Sequence, residues 1–356
     1  MAKVLMKGNE ALGEAAIRAG CRFFFGYPIT PQSELPHYLA KRLPEIGGVF
    51  LQAESEVAAI NMVYGAAGAG ARVMTSSSSP GVSLKMEGIS YIAGAELPCV
   101  IVNMQRGGPG LGSIQPGQSD YFQAVKGGGH GDYRLLVLAP ASIQEMVDLM
   151  GLAFALADKY RNPVMILGDG TLGQMMEPVE FPEMIDPDKL PSKPWAARGA
   201  KGREPNIINS LYLNPLELEE HNLKLQAKYA QMAEEETRSE SYYTDDAEIV
   251  LVGYGSSARV CKAAVDQARQ QGIKAGLFRP ITLFPFPKAE IQAACRQAKS
   301  VLTVEMSMGQ LVEDVRYNLE FKVPVHFYGR AGGMVPTTRA VVSKITELVQ
   351  EGGRSA

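Results

Sequence analysis

The sequence predicts an α/β protein with a parallel sheet flanked by helices, followed by a second, smaller α/β domain. Three observations support this fold class. Short β-rich apolar segments alternate with helical patterns, which is typical of parallel sheets covered on both faces. The chain of 356 residues is longer than the roughly 150 residues of an average domain. A polar stretch rich in proline and charge separates two such alternating halves.

The first domain is predicted over residues 1–185. Its candidate strands are Arg22–Phe25, Gly48–Gln52, Arg72–Thr75, Cys99–Asn103, Leu135–Leu138 and Pro163–Leu167. Helical patterns lie between them, for example at Glu56–Ala69 and Ser142–Ala157. Ligands of such folds bind beyond the carboxyl ends of the strands, so we expect functional residues in the loops that follow the strands.

A connector is predicted at residues 186–245, with a long polar helix over Leu216–Ser239. The second α/β domain then occupies residues 246–356. Its candidate strands are Glu248–Val252, Lys274–Phe278, Ser300–Val304 and Val325–Phe327, and its candidate helices are Ser257–Gln271, Lys288–Arg296 and Pro336–Val349.

Composition argues against several functional classes. A net charge of -3 gives no electrostatic reason to expect nucleic acid or an anionic membrane as a partner. No apolar run approaches the roughly 20 residues of a membrane helix, and the N-terminus lacks the apolar core of a signal peptide. The four cysteines are scattered, with no C-x-x-C spacing, so this chain alone offers no iron–sulfur cluster motif. We expect a protein of the reducing cytoplasm.

The loop Gly26–Pro31 follows the first candidate strand. Its two prolines fix the backbone, so Thr30 is presented from a stiff turn at a strand end. The structural alternative is a tight turn in which Thr30 or Ser33 caps the next helix.

Two further loops have the same position after a strand. Glu56 lies at the start of an alanine-rich helix, where a carboxylate can bind a heteroaromatic nitrogen or simply complement the helix dipole. The small residues of Ser76–Gly81 let a ligand approach the backbone and the following helix terminus, or form a tight polar turn.

The segment from Gln105 to Asp120 is unusually long for a loop in a compact domain, which indicates function or disorder. Its Arg106 can bind a carboxylate with two parallel hydrogen bonds, or lie solvated on a flexible loop. The later Gly127–Asp132 segment contains His130, which more often packs locally than carries a proton.

Taken together and in this order, these loops resemble the alpha subunit of 2-oxoacid:ferredoxin oxidoreductases. The matching strings are Gly26–Pro31, Glu54–Ala59, Thr75–Gly81, Gln105–Pro109, His130–Asp132 and, in the second domain, Gly329–Gly333. Within that family the chain looks most similar to the branched-chain type, which acts on 2-oxoisovalerate (3-methyl-2-oxobutanoate), through Met6–Glu10 and Ser76–Ser79. The 2-oxoglutarate type has Pro-Ser-Thr-Gly where this chain has Pro109–Gly112.

The resemblance implies a fold and a reaction. The first domain is expected to bind the pyrimidine half of thiamine diphosphate, and the second to resemble the C-terminal domain of transketolase. The reaction is the oxidative decarboxylation of a 2-oxoacid with coenzyme A, which gives acyl-CoA, CO2 and reduced ferredoxin. The substrate alternatives are 2-oxoglutarate and pyruvate. The functional alternatives are a lipoamide-linked 2-oxoacid dehydrogenase subunit and a non-catalytic scaffold chain.

The resemblance also implies roles for individual residues. Glu56 matches the glutamate that hydrogen-bonds the aminopyrimidine ring and favours its imino form. Thr30 and Arg106 match substrate-binding positions, and Tyr27, Pro28 and Ser79 are expected at the cofactor.

Partner subunits are expected to bind the diphosphate, its Mg2+ and the iron–sulfur clusters. Gly168–Gly170 resembles the start of a motif for the Mg2+ of the diphosphate, but the asparagine pair that completes such a motif is missing. The diphosphate and Mg2+ are therefore expected on a beta subunit, and [4Fe-4S] clusters on ferredoxin-like partner subunits, with no metal on this chain. Gly253–Ala258 fits a dinucleotide fingerprint, yet the acid expected about 20 residues later is absent.

Overall fold

The computed structural model describes residues 3–354, with side chains described through Glu351. The elements of its first half are β1 (Val4–Lys7), α1 (Gly8–Arg18), β2 (Phe23–Gly26), α2 (Glu34–Glu45), β3 (Val49–Gln52), α3 (Glu56–Gly68), β4 (Val73–Ser77), α4 (Ser79–Gly94), β5 (Cys99–Gln105), α5 (Tyr121–Val125), β6 (Leu136–Leu138), α6 (Ile143–Tyr160), β7 (Pro163–Asp169), α7 (Gly170–Gln174) and β8 (Met176–Val179).

The second half begins with a short 3-10 turn at Pro187–Lys189. It continues with α8 (Pro215–Glu235), β9 (Ser239–Tyr242), β10 (Ile249–Val252), α9 (Gly255–Gln270), β11 (Ala275–Pro280), β12 (Thr282–Phe284), α10 (Lys288–Ala294), β13 (Ser300–Glu305), α11 (Leu311–Asn318), β14 (Val325–Gly329) and α12 (Thr338–Arg354). No helix between residues 3 and 354 is long and apolar enough to cross a lipid bilayer.

The larger sheet has seven strands in the order β12-β6-β7-β5-β4-β2-β3. The pairs formed by β2 to β7 are parallel, and β12 joins the edge antiparallel to β6. The second sheet has the order β14-β13-β10-β11-β9, with β9 antiparallel at its edge. The α/β fold class with two units is thereby confirmed.

Two strands pair with a sheet outside the predicted segment in which they lie. Strand β9 lies within the predicted connector but completes the second sheet, so the connector helix ends at Glu235 rather than Ser239. Strand β12 lies within the predicted second domain but pairs with the first sheet. Both are short edge strands, whose pairing is decided by the neighbouring strand more than by their own sequence.

The strand ends position the site. Strand β4 runs on to Ser77 because its last residues pair with Val102 and Asn103 of β5. Ser78 is therefore the one residue between β4 and α4. Strand β5 likewise continues to Gln105, so Arg106 follows the strand directly. The carboxyl ends of the two sheets face each other, as shown by the Gln118 N–H, which donates to the Met306 carbonyl at 2.8 Å.

Candidate active site

Glu56 is a buried carboxylate at the first position of helix α3. Ser55 caps that helix by accepting a hydrogen bond from the Ala58 N–H at 3.1 Å. The Glu56 side chain is only 6% exposed, whereas Glu54 is exposed to solvent. Among residues 3–354, no group donates a hydrogen bond to the Glu56 carboxylate. A buried acid without a donor is costly unless a ligand supplies the partner.

The turn between β4 and α4 lies against this carboxylate. Gly81 has no side chain there, and a Cβ built on it would lie 2.6 Å from Glu56 Oε1 and collide with Ser77 Oγ. A larger residue at this position would displace the acid. Gly81 therefore keeps the Glu56 carboxylate close to the end of β4.

Several polar atoms around this turn are buried without a partner in the described residues. They are Ser77 Oγ, Ser78 Oγ and Gln32 Nε2. Gln32 belongs to the same group because its Oε1 accepts from Ser76 Oγ at 2.5 Å. Buried polar groups are normally satisfied, so this cluster and the free carboxylate indicate a polar ligand. An aminopyrimidine, with ring nitrogens and an amino group, fits this donor and acceptor set.

Lys85 is a functional candidate that the sequence reasoning missed. It lies on the buried face of α4 and is completely inaccessible to solvent. Its Nζ donates to Thr75 Oγ1 at 2.8 Å. Burial lowers the pKa of Lys85 to about 8, against an opposing pull from the charge of Glu56. The available signal was a lysine at a position whose helical neighbours, Val82 and Ile89, are apolar.

Arg106 is buried rather than solvated, with 7% of its surface exposed. Its Nη1 donates to the Thr30 carbonyl and its Nη2 to the Leu111 carbonyl, both at 2.9 Å. Its Nε is buried without a partner in the described residues. The structure thus brings Arg106 to the Gly26–Pro31 loop, where Thr30 itself is exposed. A guanidinium with an unsatisfied edge is suited to bind a carboxylate.

Ser79 is held by its neighbours. Its Oγ donates to Asp120 Oδ2 at 2.6 Å and accepts from the Arg106 N–H at 3.0 Å. The pKa of Asp120 is raised because the residue is buried. Hydrogen bonds from Ser79 and Asn103 and the charge of Arg106 oppose this shift without cancelling it. Ser79 and Asp120 line a cavity of about 650 Å³ that also contacts the second domain at Met306.

The remaining predicted residues lie at the surface. Tyr27 is 38% exposed and Pro28 is exposed as well, so both are accessible to a ligand or a partner chain. His130 is exposed and its ring packs edge-on against Tyr91 at 5.9 Å. That contact is the local packing role expected for His130.

The two glycine-rich turns with cofactor-like sequences bind each other. Asp169 Oδ1 accepts from Ser256 Oγ at 2.7 Å and from the Thr171 N–H at 3.0 Å. Burial raises the pKa of Asp169, and these hydrogen bonds oppose the shift. Beside them, buried Gln118 donates to the Tyr254 carbonyl at 2.8 Å and accepts from Ser257 Oγ at 2.7 Å. These contacts join the first domain to the N-terminus of α9.

Comparison with known families identifies the class of protein. Residues 14–244 match the family model of pyruvate flavodoxin/ferredoxin oxidoreductases that describes their thiamine diphosphate-binding domain. Residues 247–341 match core domain II of pyruvate:ferredoxin oxidoreductase. The chain belongs to the 2-oxoacid:ferredoxin oxidoreductase family, as its sequence motifs predicted, and is an oxidoreductase subunit with a thiamine diphosphate-binding domain.

Individual relatives agree with this assignment. The chain is 54% identical to the ketoisovalerate oxidoreductase subunit VorB of Methanothermobacter marburgensis, covering 99% of both chains. It is 34% identical to the 2-oxoglutarate synthase subunit KorA of Methanothermobacter thermautotrophicus, over 96% of this chain and 98% of that one.

Solved structures show the same fold. The 2-oxoglutarate:ferredoxin oxidoreductase of Magnetococcus marinus superposes with a TM-score of 0.87 at 30% identity, over 97% of this chain. This chain spans 65% of that longer chain. A split-gene transketolase superposes with a TM-score of 0.61 at 15% identity, over 96% of this chain and 97% of its own, which shows a shared fold.

Proposed function

We propose that this chain is the subunit of a 2-oxoisovalerate:ferredoxin oxidoreductase that binds the pyrimidine half of thiamine diphosphate, with Glu56 as its catalytic residue. The observation that carries the proposal is Glu56, which is 6% exposed, accepts no hydrogen bond from the described residues and lies by Gly81 together with Ser77, whose buried hydroxyl lacks a partner in those residues. The branched-chain substrate is supported by the 54% identity to a subunit named for ketoisovalerate.

Glu56 is the acid–base group of the proposed site. Its carboxyl group would hydrogen-bond a pyrimidine nitrogen and exchange a proton there, and the Ser55 cap and Gly81 fix its position. When bound, thiamine diphosphate would supply the electron sink for the loss of CO2 from the 2-oxoacid. Removal of acid–base assistance of this kind costs about 10²- to 10⁴-fold in rate.

Arg106 and Thr30 bind the substrate at the same edge of the sheet as Glu56, where the strands have their carboxyl ends. The unpartnered Nε of Arg106 and the exposed hydroxyl of Thr30 are held together by the 2.9 Å contact between Arg106 Nη1 and the Thr30 carbonyl. They bind the carboxylate or oxo group of the 2-oxoacid. Tyr27, Pro28 and Ser79 border the cofactor side of this edge.

Partner subunits complete the enzyme. A beta subunit binds the diphosphate and Mg2+, which is supported here by Asp169, whose carboxylate is fully engaged by backbone groups and Ser256. Partner subunits with [4Fe-4S] clusters pass electrons to ferredoxin, and coenzyme A accepts the acyl group. The four cysteines of this chain are buried. The complex works in the cytoplasm, where such thiols stay reduced.

The proposal is tested on the complex purified anaerobically through a tag on this chain. Viologen reduction is followed with coenzyme A and a panel of 2-oxoacids. We expect strong turnover with 2-oxoisovalerate. Preference for pyruvate or 2-oxoglutarate would overturn the substrate assignment alone. Transfer of the acyl group to lipoamide without viologen reduction would establish the lipoamide-linked alternative, and a complex with cofactor and clusters but no reaction would establish a scaffold.

A further inference from the structure

Lys85 is a buried cation in the wall of the site that the proposed reaction leaves without a role. Its side chain is fully buried, and its hydrogen bond to Thr75 Oγ1 involves one of three N–H donors. An ammonium group without a balancing charge is expensive to bury. A lysine in this place therefore needs a nearby anion to explain it.

The helix geometry directs Lys85 towards Glu56. Lys85 follows Gly81 by four residues, so the two share one face of α4, one turn apart. Helical side chains lean towards the helix N-terminus, which brings Lys85 back over the turn at Gly81. The Glu56 carboxylate lies at that turn, since a Cβ on Gly81 would come within 2.6 Å of its Oε1.

The sheet side agrees with this placement. Thr75, the partner of Lys85, and Ser77, the neighbour of Gly81, are two residues apart on β4 and so point to the same face. Strand β4 and strand β5 carry no charged residue. Glu87 on α4 and Glu54 before α3 are exposed. Glu56 is the charge whose field acts on Lys85.

We propose that Lys85 is a positioning residue that acts through Glu56: its buried ammonium group stabilises the Glu56 carboxylate when that side chain passes its proton to the aminopyrimidine ring. The inference rests on the proposed cofactor contact of Glu56. The step moves one proton from a Glu56 carboxyl oxygen to a ring nitrogen, with no change in electron count. The negative charge it leaves on Glu56 is balanced by Lys85.

The protonation of Lys85 makes this role testable by pH. Its pKa of about 8 leaves it charged at pH 7 and neutral well above pH 8. The stabilisation of the Glu56 carboxylate by Lys85 is therefore present at neutral pH and lost in alkali. Arginine at the same position keeps its charge throughout, whereas methionine carries none.

The experiment measures how fast bound thiamine diphosphate exchanges its reactive thiazolium proton for deuterium. It uses the wild-type complex and Lys85→Met, Lys85→Arg and Lys228→Met variants, from pH 6.5 to 9.5. Lys228 is the matched control, since burial lowers its pKa to about 8 as well but it pairs with Glu96. We expect the exchange rate of Lys85→Met at pH 7 to be lower than that of wild type by about tenfold or more, the factor that corresponds to one pKa unit. The exchange rate of Lys228→Met should equal that of wild type.

The pH dependence and the double variant decide the outcome. The ratio of wild-type to Lys85→Met rates is expected to fall towards one above about pH 8, while Lys85→Arg, which stays charged, keeps its higher rate relative to Lys85→Met there. In a Glu56→Gln background, Lys85→Met adds no further loss. Equal rates for wild type and Lys85→Met at pH 7, or a ratio independent of pH, overturn the inference. If the arginine variant does not fold, the pH dependence of the ratio between wild type and Lys85→Met still tests the inference. An unchanged rate in Glu56→Gln alone would instead overturn the proposed function.

Discussion

Arg106 Nη1 lies 2.9 Å from the carbonyl oxygen of Thr30, so the two residues that we propose to bind the substrate are joined through the Thr30 backbone. The hydroxyl of Thr30 is not used in this contact. Arg106 can therefore be altered without removing the threonine side chain, and Thr30 can lose its hydroxyl without releasing Arg106. The two contributions are separable by mutation.

Arg106→Lys is expected to raise the KM for the 2-oxoacid more than the KM for coenzyme A. An ammonium group cannot reproduce the fork that holds the Thr30 and Leu111 carbonyls and a carboxylate together. Steady-state viologen reduction with each substrate varied in turn gives both constants. Thr30→Val is the companion variant, because it leaves the carbonyl anchor in place. Equal increases in the two KM values would remove Arg106 from the substrate site.

Glu56→Gln is expected to lower kcat by about 10²- to 10⁴-fold, which corresponds to roughly 3–5 kcal/mol of barrier. An amide keeps the shape of the side chain but cannot exchange the proton. Glu54→Gln is the control, since Glu54 is exposed and lies two residues away. The complex must remain assembled, as judged by gel filtration. A Glu56→Gln complex as active as the wild type would support a scaffold role for this chain.

Gly81→Ala is expected to weaken thiamine diphosphate binding about tenfold or more. The added methyl group would lie 2.6 Å from Glu56 Oε1, so the carboxylate must move, and a displacement of this kind carries a large penalty in a fixed site. Gly65→Ala is the matched control, because it lies on α3 with open space around it and should gain up to about 1 kcal/mol of stability. Calorimetric titration with thiamine diphosphate and Mg2+ measures the affinity. Wild-type affinity in Gly81→Ala would contradict the close packing at Glu56.

Asp169→Asn is expected to keep the Mg2+-dependent affinity for thiamine diphosphate, because Asp169 binds Ser256 of the second domain and the metal is proposed to lie on the partner subunit. Burial raises its pKa above 3.8, so stability falls as the pH rises from that value to the raised pKa, and the cost of the charge persists at neutral pH. The amide retains an acceptor without the charge, whereas Asp169→Ala should cost about 1–3 kcal/mol by leaving buried donors unpaired. Thermal unfolding and titration of both variants check this. A loss of Mg2+ dependence in Asp169→Asn would place the metal on this chain.

Lys85→Met is expected to stabilise the folded chain at pH 7 by about 2 kcal/mol. The folded pKa of about 8 lies below the unfolded value of 10.5, which is a cost of on the order of 3 kcal/mol, partly offset by the lost hydrogen bond to Thr75. The cost is complete below pH 8 and disappears as the pH rises to about 10.5. Urea unfolding of wild type and Lys85→Met at pH 7 and pH 10 measures this difference in stability. A gain over wild type that is smaller at pH 7 than at pH 10 would contradict the burial of a charged lysine.

Much of the fold was predictable because the strands of a parallel sheet are continuous apolar runs with glycine-rich loops after them. The strands from Phe23 to Asp169 form where those runs lie. Strands β1, β8, β9 and β12 were missed because each is a short segment whose partner is distant in the chain. The sequence does not contain that pairing in any local pattern.

The position of a candidate site residue was predictable where the residue directly follows a strand and not where its burial depends on packing. The positions of Glu56 and Arg106 after β3 and β5 indicated the functional edge. Lys85 was missed because lysines on helices are usually exposed, and its burial depends on how α4 crosses α3, where Gly88 lies against Ile60. The turns at Asp169 and Ser256 resembled cofactor-binding motifs, but the sequence did not show that these two turns contact each other.

The contacts of Gln118 limit how this chain can be recombined with a relative. The loop that starts at Arg106 in the first domain is bonded to the Tyr254, Ser257 and Met306 positions of the second. A hybrid enzyme made by joining two relatives at residue 245 would pair a loop from one parent with turns from the other. A hybrid that keeps these contacts therefore takes residues 106–120 and the second domain from the same parent. This applies to any hybrid made to transfer substrate preference.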